Sequence, residues 1–181
     1  MMPHQETYIC VDVETAGPYP GQYALLSIGA CLVEDERRTF YIELQPDRPE
    51  STSDALAISG LSLDVLKESG IPPREALAAF ADWVQKIVPN GHIPVFVAFN
   101  AAFDWMFVND YFHRYLGYNP FGHSALDIKA YFMGQMGVSW METSMKHIST
   151  QLLEERHLSH NALRDAQDQA EVFRHMLSKE K

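Results

Sequence analysis

Two carboxylates stand inside an apolar, strand-like run, Tyr8-Ile-Cys-Val-Asp12-Val-Glu14. Its β-branched and aromatic residues, bounded by Gly17-Pro18, predict a strand. A period of two then puts Asp12 and Glu14 on one face, about 7 Å apart at a rise of ~3.4 Å per residue. A bare carboxylate beside Val, Ile and Cys is costly to bury, and two close ones repel. Any fold that takes this run must therefore place a cation between the acids or leave the strand at an edge with its acidic face in water. The run alone keeps both options open.

The rest of the chain narrows the architecture. Leu25–Val33 reads as a buried second strand, Glu34-Asp-Glu-Arg37 as a polar turn, and Thr39–Leu44 as a third strand, an antiparallel meander. Residues 46–75 are rich in Pro, Ser, Asp and Gly, with short helical pieces at best. Ala76, Leu77, Phe80, Trp83, Val84, Ile87 and Val88 then recur at helical spacing, which predicts an amphipathic helix stopped by Pro89-Asn-Gly91. Ile93–Phe99 is the fourth strand, and Asn100 is a fair N-cap for a helix running to about Leu116. Residues 125–128 form a short fifth strand. Helices follow at roughly 129–136, 143–153 and 161–178, the last with an apolar stripe of Ala166, Ala170, Phe173 and Leu177. Three antiparallel strands followed by strand-helix crossovers describe an α/β domain. At 181 residues without an internal repeat, one domain spanning 1–181 is expected.

Composition limits the partners. The net charge is −10, unevenly spread, with −8 on residues 1–90 and −2 on the remainder. No basic run could grip a long duplex through many phosphates, so a nucleic-acid partner would be held by a short, local, metal-assisted contact. Cys10 and Cys31 both fall in apolar strand-like runs, where a thiol is a small hydrophobe, and a reduced compartment is the simplest reading. No window approaches the ~20 apolar residues of a membrane span, and no signal peptide is recognisable, so a cytoplasmic protein is expected.

Two further acids and a histidine carry potential chemistry. Asp104 lies one turn into its helix, where the helix dipole favours an acid; alone, it reads as a first-turn helix residue. In His160-Asn-Ala-Leu-Arg-Asp165, at the head of the last helix, Asp165 lies on or near the apolar stripe and should face inward. Asp168 and Glu171 read as solvated charges. His160 precedes the helix, where a loop could swing it over a site; alone, it is one of eight histidines. His157 competes with it on spacing. A zinc site on the two is a poor reading, since no cysteine pair or H-E-x-x-H accompanies them.

Taken together, Asp12-Val-Glu14-Thr15, Asn100-Ala-Ala-Phe-Asp104 and His160-Asn-Ala-Leu-Arg-Asp165-Ala resemble the three motifs of the DEDD superfamily of 3′–5′ exonucleases, in the branch with histidine in its third motif. The resemblance runs from about residue 6 to residue 177. Ala-Ile-Ser-Gly60-Leu and Leu126-Asp127 are similar to further family segments, while Ala16 stands where the family more often has a second threonine. The resemblance implies a ribonuclease-H-like α/β fold, a mixed five-stranded sheet flanked by helices. It implies a catalytic set in which Asp12, Glu14, Asp104 and Asp165 hold two Mg²⁺ or Mn²⁺ ions and His160 is the general base for water. The implied partners are single-stranded RNA or DNA 3′ ends, with a lean toward RNA or short oligonucleotides, and the products are nucleoside 5′-monophosphates. A DNA proofreading subunit and a catalytically silent nucleic-acid-binding domain are the competing readings, and a homodimer is a further option. Tyr19, Tyr23 and Leu25 after the first motif, with Phe103 and Trp105 beside Asp104, are candidate base contacts, although core packing is favoured for Phe103. Arg164 and Lys146 are candidate phosphate contacts, with solvated helix-face charges as the simpler reading.

Overall fold

In the computed structural model, which describes residues 5–152 and 160–178, five strands make one mixed sheet. Strands β1 (Gln5–Thr15), β2 (Leu25–Leu32) and β3 (Asp35–Glu43) form the antiparallel meander, while β4 (His92–Ala98) and β5 (Ala125–Asp127) run parallel to β1. The order across the sheet is β3-β2-β1-β4-β5. The third strand starts earlier than its apolar residues suggest. Leu32 already pairs with Asp35 across a bulge, which absorbs the stretch read as a polar turn. β3 is an edge strand, and exposed charges such as Arg37 and Arg38 are well tolerated at an edge.

Alternation along β1 divides the core in two. Ile9, Val11 and Val13 face helices α3 (Pro73–Ile87) and α4 (Ala101–Leu116), packing with Leu77, Phe80 and Phe107. Cys10 faces the other way, toward α5 (Ile128–Met136), α6 (Met145–Leu152) and α7 (Ala162–Ser178), in a cluster with Val97, Phe132 and Phe173. Both cysteines are buried and free. The Pro- and Ser-rich middle section holds two short helices, α1 (Ser53–Ser59) and α2 (Leu63–Ser69), capped by the hydroxyls of Thr52 and Ser62. Among the described residues no helix is long and apolar enough to cross a membrane.

Three local features set the geometry at the C-terminal end of β1. First, β1 outruns β4. Their ladder ends at the pair Cys10–Val97, whereas β1 stays paired with β2 as far as Thr15. Extending that register would set Asn100 opposite Val13, but Asn100 is left-handed at φ 64°, a conformation Asn adopts more readily than most residues, and it turns the chain into α4. Second, the same backbone angle removes Asn100 from the capping role its sequence position suggests. Its side chain makes no cap bond. Instead Asp127, at the end of β5, accepts from Ala101 N at 2.8 Å through Oδ2 and from Ala130 N at 3.0 Å through Oδ1, tying together the starts of α4 and α5.

Third, Gly29 on β2 lies opposite Asp12. A Cβ at that position would lie 2.2 Å from both the Ala162 carbonyl carbon and the Leu163 nitrogen. The first turn of α7 therefore rests directly on the strand, and only glycine permits so close an approach. A Gly29→Ala substitution must push α7 away from the sheet. It should destabilise the protein by about 1–3 kcal/mol, the usual cost of overpacking, read as a lower urea midpoint at constant m. An unchanged midpoint would contradict this packing.

Candidate functional site

The close approach of α7 brings the acids of β1 and α7 together. One oxygen each from Asp12, Glu14 and Asp165 lies within 4.8 Å of the others. Asp165 and Glu14 are only 3% and 9% exposed, while Asp12 keeps some contact with solvent. Asp104 arrives from the opposite side of the sheet. Its Oδ1 accepts from Val13 N at 3.1 Å, using the N–H that β4 leaves unpaired between the two acids of β1. At 4% exposure it is as buried as Asp165.

His160 sits at the entry to α7 with a left-handed backbone, φ 54°. Its backbone N donates to Asp165 Oδ2 at 2.9 Å, and the residue is exposed. Asn161 caps the helix by accepting from Arg164 N at 3.2 Å. The five-residue spacing of histidine and acid thus closes a local loop in which the His160 backbone orients the Asp165 carboxylate.

So many buried carboxylates disfavour their own ionisation. Burial pushes Glu14 up to about 7, with the charge of Asp165 adding to the effect. Burial likewise pushes Asp104 up to about 8, against the N–H groups that hydrogen-bond to it. Asp12 is raised well above the ordinary carboxylate range, by burial first and then by the charges of Asp104, Asp165 and Glu14. Among the described residues, Asp12, Glu14 and Asp104 have no ion-pair partner. Hard oxygen donors converging in this way suit a divalent cation such as Mg²⁺ or Mn²⁺. Of the two readings left open for the first strand, the solvated edge fails, since β1 is the central strand.

A cleft of about 260 Å³ opens on the other side of Glu14, lined by Val13, Pro18, Thr52, Ile58 and Phe103 among others. Phe103 packs on Phe107 at 5.5 Å and also forms a wall of this cleft, so core packing is only part of its role. Trp105 packs edge-on against Phe96 at 5.2 Å, and Leu25 is fully buried. Tyr19 is exposed and meets Tyr23 edge-on at 5.3 Å. Ala16 is buried, with its backbone bonded to Ala24 and Thr52, so the first loop closes around a small side chain. Arg164 and Lys146 are exposed. His157 lies outside the described residues.

Sequence reasoning missed Gln169, one turn beyond Asp165 and 1% exposed. Its Nε2 donates to Asp12 Oδ1 at 2.7 Å and its Oε1 accepts from Phe99 N at 2.9 Å. The available signal was its i+4 spacing from an inward-facing acid on an amphipathic helix.

Residues 9–173 match the family described as exonuclease. The chain is 43% identical over 174 residues to the 3′–5′ DNA exonuclease Cap18 of Escherichia coli, covering 96% of this chain and 93% of that protein. Among solved structures, the nuclease domain of 3′hExo, a DEDDh family member bound to rAMP, aligns with a TM-score of 0.80 at 15% identity, over 98% of this chain and 94% of that one. Exonuclease I of E. coli, in complex with a dT13 oligonucleotide, aligns with a TM-score of 0.71 at 18% identity, over 94% of this chain and 40% of that one. At such identities the structural likeness speaks for the fold, which is the ribonuclease-H-like arrangement expected.

The raised carboxyls make stability depend on pH and metal together. A carboxyl that binds its proton more tightly in the folded state contributes stability that is complete below its ordinary pKa and is lost as pH rises through the folded value. For Glu14 and Asp104 that window runs from their ordinary values of 4.5 and 3.8 up to about 7 and 8. Their contribution to the metal-free protein should therefore fall away across this window. The gain in Tm on adding Mn²⁺ should grow over the same range, because the cation replaces protons. Thermal unfolding with EDTA and with saturating Mn²⁺, at about pH 5 and about pH 8, measures this. A gain that does not change with pH would contradict the clustering of the acids.

Proposed function

The chain belongs to the exonuclease family as a hydrolytic 3′–5′ nuclease, and we propose that its working substrate is the 3′ end of single-stranded DNA, cleaved with the help of two divalent ions. The observation that carries this reading is the convergence of Asp12, Glu14 and Asp165 within 4.8 Å, with Asp104 bonded to the backbone between the first two. The preference for DNA over the RNA suggested by sequence rests on the relative at 43% identity, a DNA exonuclease matched over nearly its whole length. The whole chain, residues 1–181, serves as one exonuclease domain.

Asp12, Glu14, Asp104 and Asp165 hold the ions, Mg²⁺ or Mn²⁺. When bound, such ions neutralise charge at the phosphate and make water more acidic. The side chains do the remaining work. The terminal nucleoside enters the cleft beside Glu14, between the apolar surfaces of Phe103 and Ile58. The imidazole of His160 takes a proton from water as its oxygen bonds to phosphorus. The bond from phosphorus to the 3′-oxygen of the penultimate nucleotide breaks, that oxygen takes a proton from solvent water, and a nucleoside 5′-monophosphate leaves. A backbone bond from His160 to Asp165 ties the residue that carries the proton acceptor to one of the carboxylates. The intact acid set speaks against a silent binding domain.

The two roles separate by mutation. Asp12→Asn should lose both Mn²⁺ affinity and activity, and a near-parental rate would sink the ligand assignment. His160→Ala should lose about 10²–10⁴-fold in kcat, the usual share of a general base, while keeping Mn²⁺ binding. Substrate choice is read from 5′- and 3′-labelled DNA and RNA strands with Mg²⁺ or Mn²⁺. A descending ladder from 5′-labelled DNA, with immediate release of the 3′ label as mononucleotide, is expected. Faster loss of RNA than of DNA would overturn the DNA preference.

A further inference from the structure

Gln169 is the buried side chain that touches the site without carrying charge. It projects from α7 one turn after Asp165 and so shares its inward face. Three elements meet at its amide. Oε1 accepts from Phe99 N at 2.9 Å, at the end of β4, and lies 3.7 Å from the Cys10 Sγ, which donates to it from β1. Nε2 donates to Asp12 Oδ1 at 2.7 Å. The orientation of the amide is fixed by its partners. A backbone N–H and a thiol need an acceptor, whereas a carboxylate needs a donor, so only one assignment of oxygen and nitrogen satisfies all three. A carboxylate in this place could not donate to Asp12, and an apolar side chain would satisfy none of the three.

We propose that Gln169 is a positioning residue for the metal site: its amide holds Asp12 by one oxygen, leaves the second oxygen for a divalent cation, and fastens that carboxylate to the end of β4. One turn of α7 thus delivers a ligand, Asp165, and the fixed orientation of another. Phe99 N sits where β4 stops, and its N–H has no ladder partner on β1. Gln169 satisfies it and so joins the end of the shorter strand to the acid on the longer one. The inference rests on Asp12 being a metal ligand and adds a role that no motif residue supplies.

The test is Gln169→Met, nearly the same shape without the amide. Mn²⁺ affinity, read by electron paramagnetic resonance titration at fixed pH, should fall about 10–100-fold, the range for losing an outer partner of a metal ligand. At saturating Mn²⁺ the KM for a short DNA strand should stay at the parental value, since Gln169 does not line the cleft. Combined with Asp12→Asn, Gln169→Met should add little further loss, because both act through one carboxylate. A folded Gln169→Met that binds Mn²⁺ like the parent, even with a lowered Tm, overturns the proposal, and so do losses that simply add. If Gln169→Met does not fold, Gln169→Glu keeps an acceptor for Phe99 N and removes the donor to Asp12. Weaker Mn²⁺ binding is then expected, and parental or tighter binding overturns the proposal. Asp12→Asn separates the two claims: if it binds Mn²⁺ normally, the metal assignment itself fails, whereas loss in Asp12→Asn with none in Gln169→Met removes only the role of Gln169.

Discussion

Mutual repulsion among Asp12, Glu14, Asp104 and Asp165 is the constraint to which the surrounding structure answers. Three of the four are largely buried, and all lie around the last turn of one central strand. Nothing in an ordinary hydrophobic core would gather them. Three of them are held by specific devices: Asp165 by a helix resting on a glycine and a backbone bond from the residue that opens α7, Asp104 by a backbone N–H spared by the neighbouring strand, and Asp12 by a buried amide. Burial and the neighbouring charges raise the carboxyls of Asp12, Glu14 and Asp104 above the ordinary range. A divalent cation among them would offset this crowding.

Much of this was legible from the residues. A period of two put Asp12 and Glu14 on one face, and the apolar stripe of the last helix turned Asp165 inward. The meander and the parallel additions followed from turn lengths and crossovers. What escaped depends on contacts distant in sequence. Gly29 reads as one more small residue in a buried strand until α7 is seen against it. Asn100 has the right chemistry for a cap, but its left-handed backbone passes the task to Asp127, well downstream at the end of β5. The start of β3 at Asp35 was hidden because edge strands tolerate charges that in a central strand would argue for a turn. Gln169 carried no charge to attract notice.

The sheet also divides recognition from chemistry. Asp12 and Asp165 lie on the α7 face, while the cleft with Phe103 and Ile58 opens toward α1 and α4. Glu14 borders both. The net charge of −10 repels the length of a polyanion, which suits a short, local contact at the site.

The overhang of β1 past β4 has a bearing on how such a site could arise or be lost. A sheet gains stability by completing its ladders, and here one rung is withheld: the N–H of Val13 goes to Asp104 instead of to a neighbouring strand. Chemistry and sheet completion therefore compete for the same hydrogen bond. A β4 longer by two or three residues would supply a carbonyl to Val13 and evict Asp104 from its place, leaving every acid in the sequence and no site in the fold. The length of one strand, set by the backbone of Asn100, shapes the cluster as surely as the identity of its carboxylates.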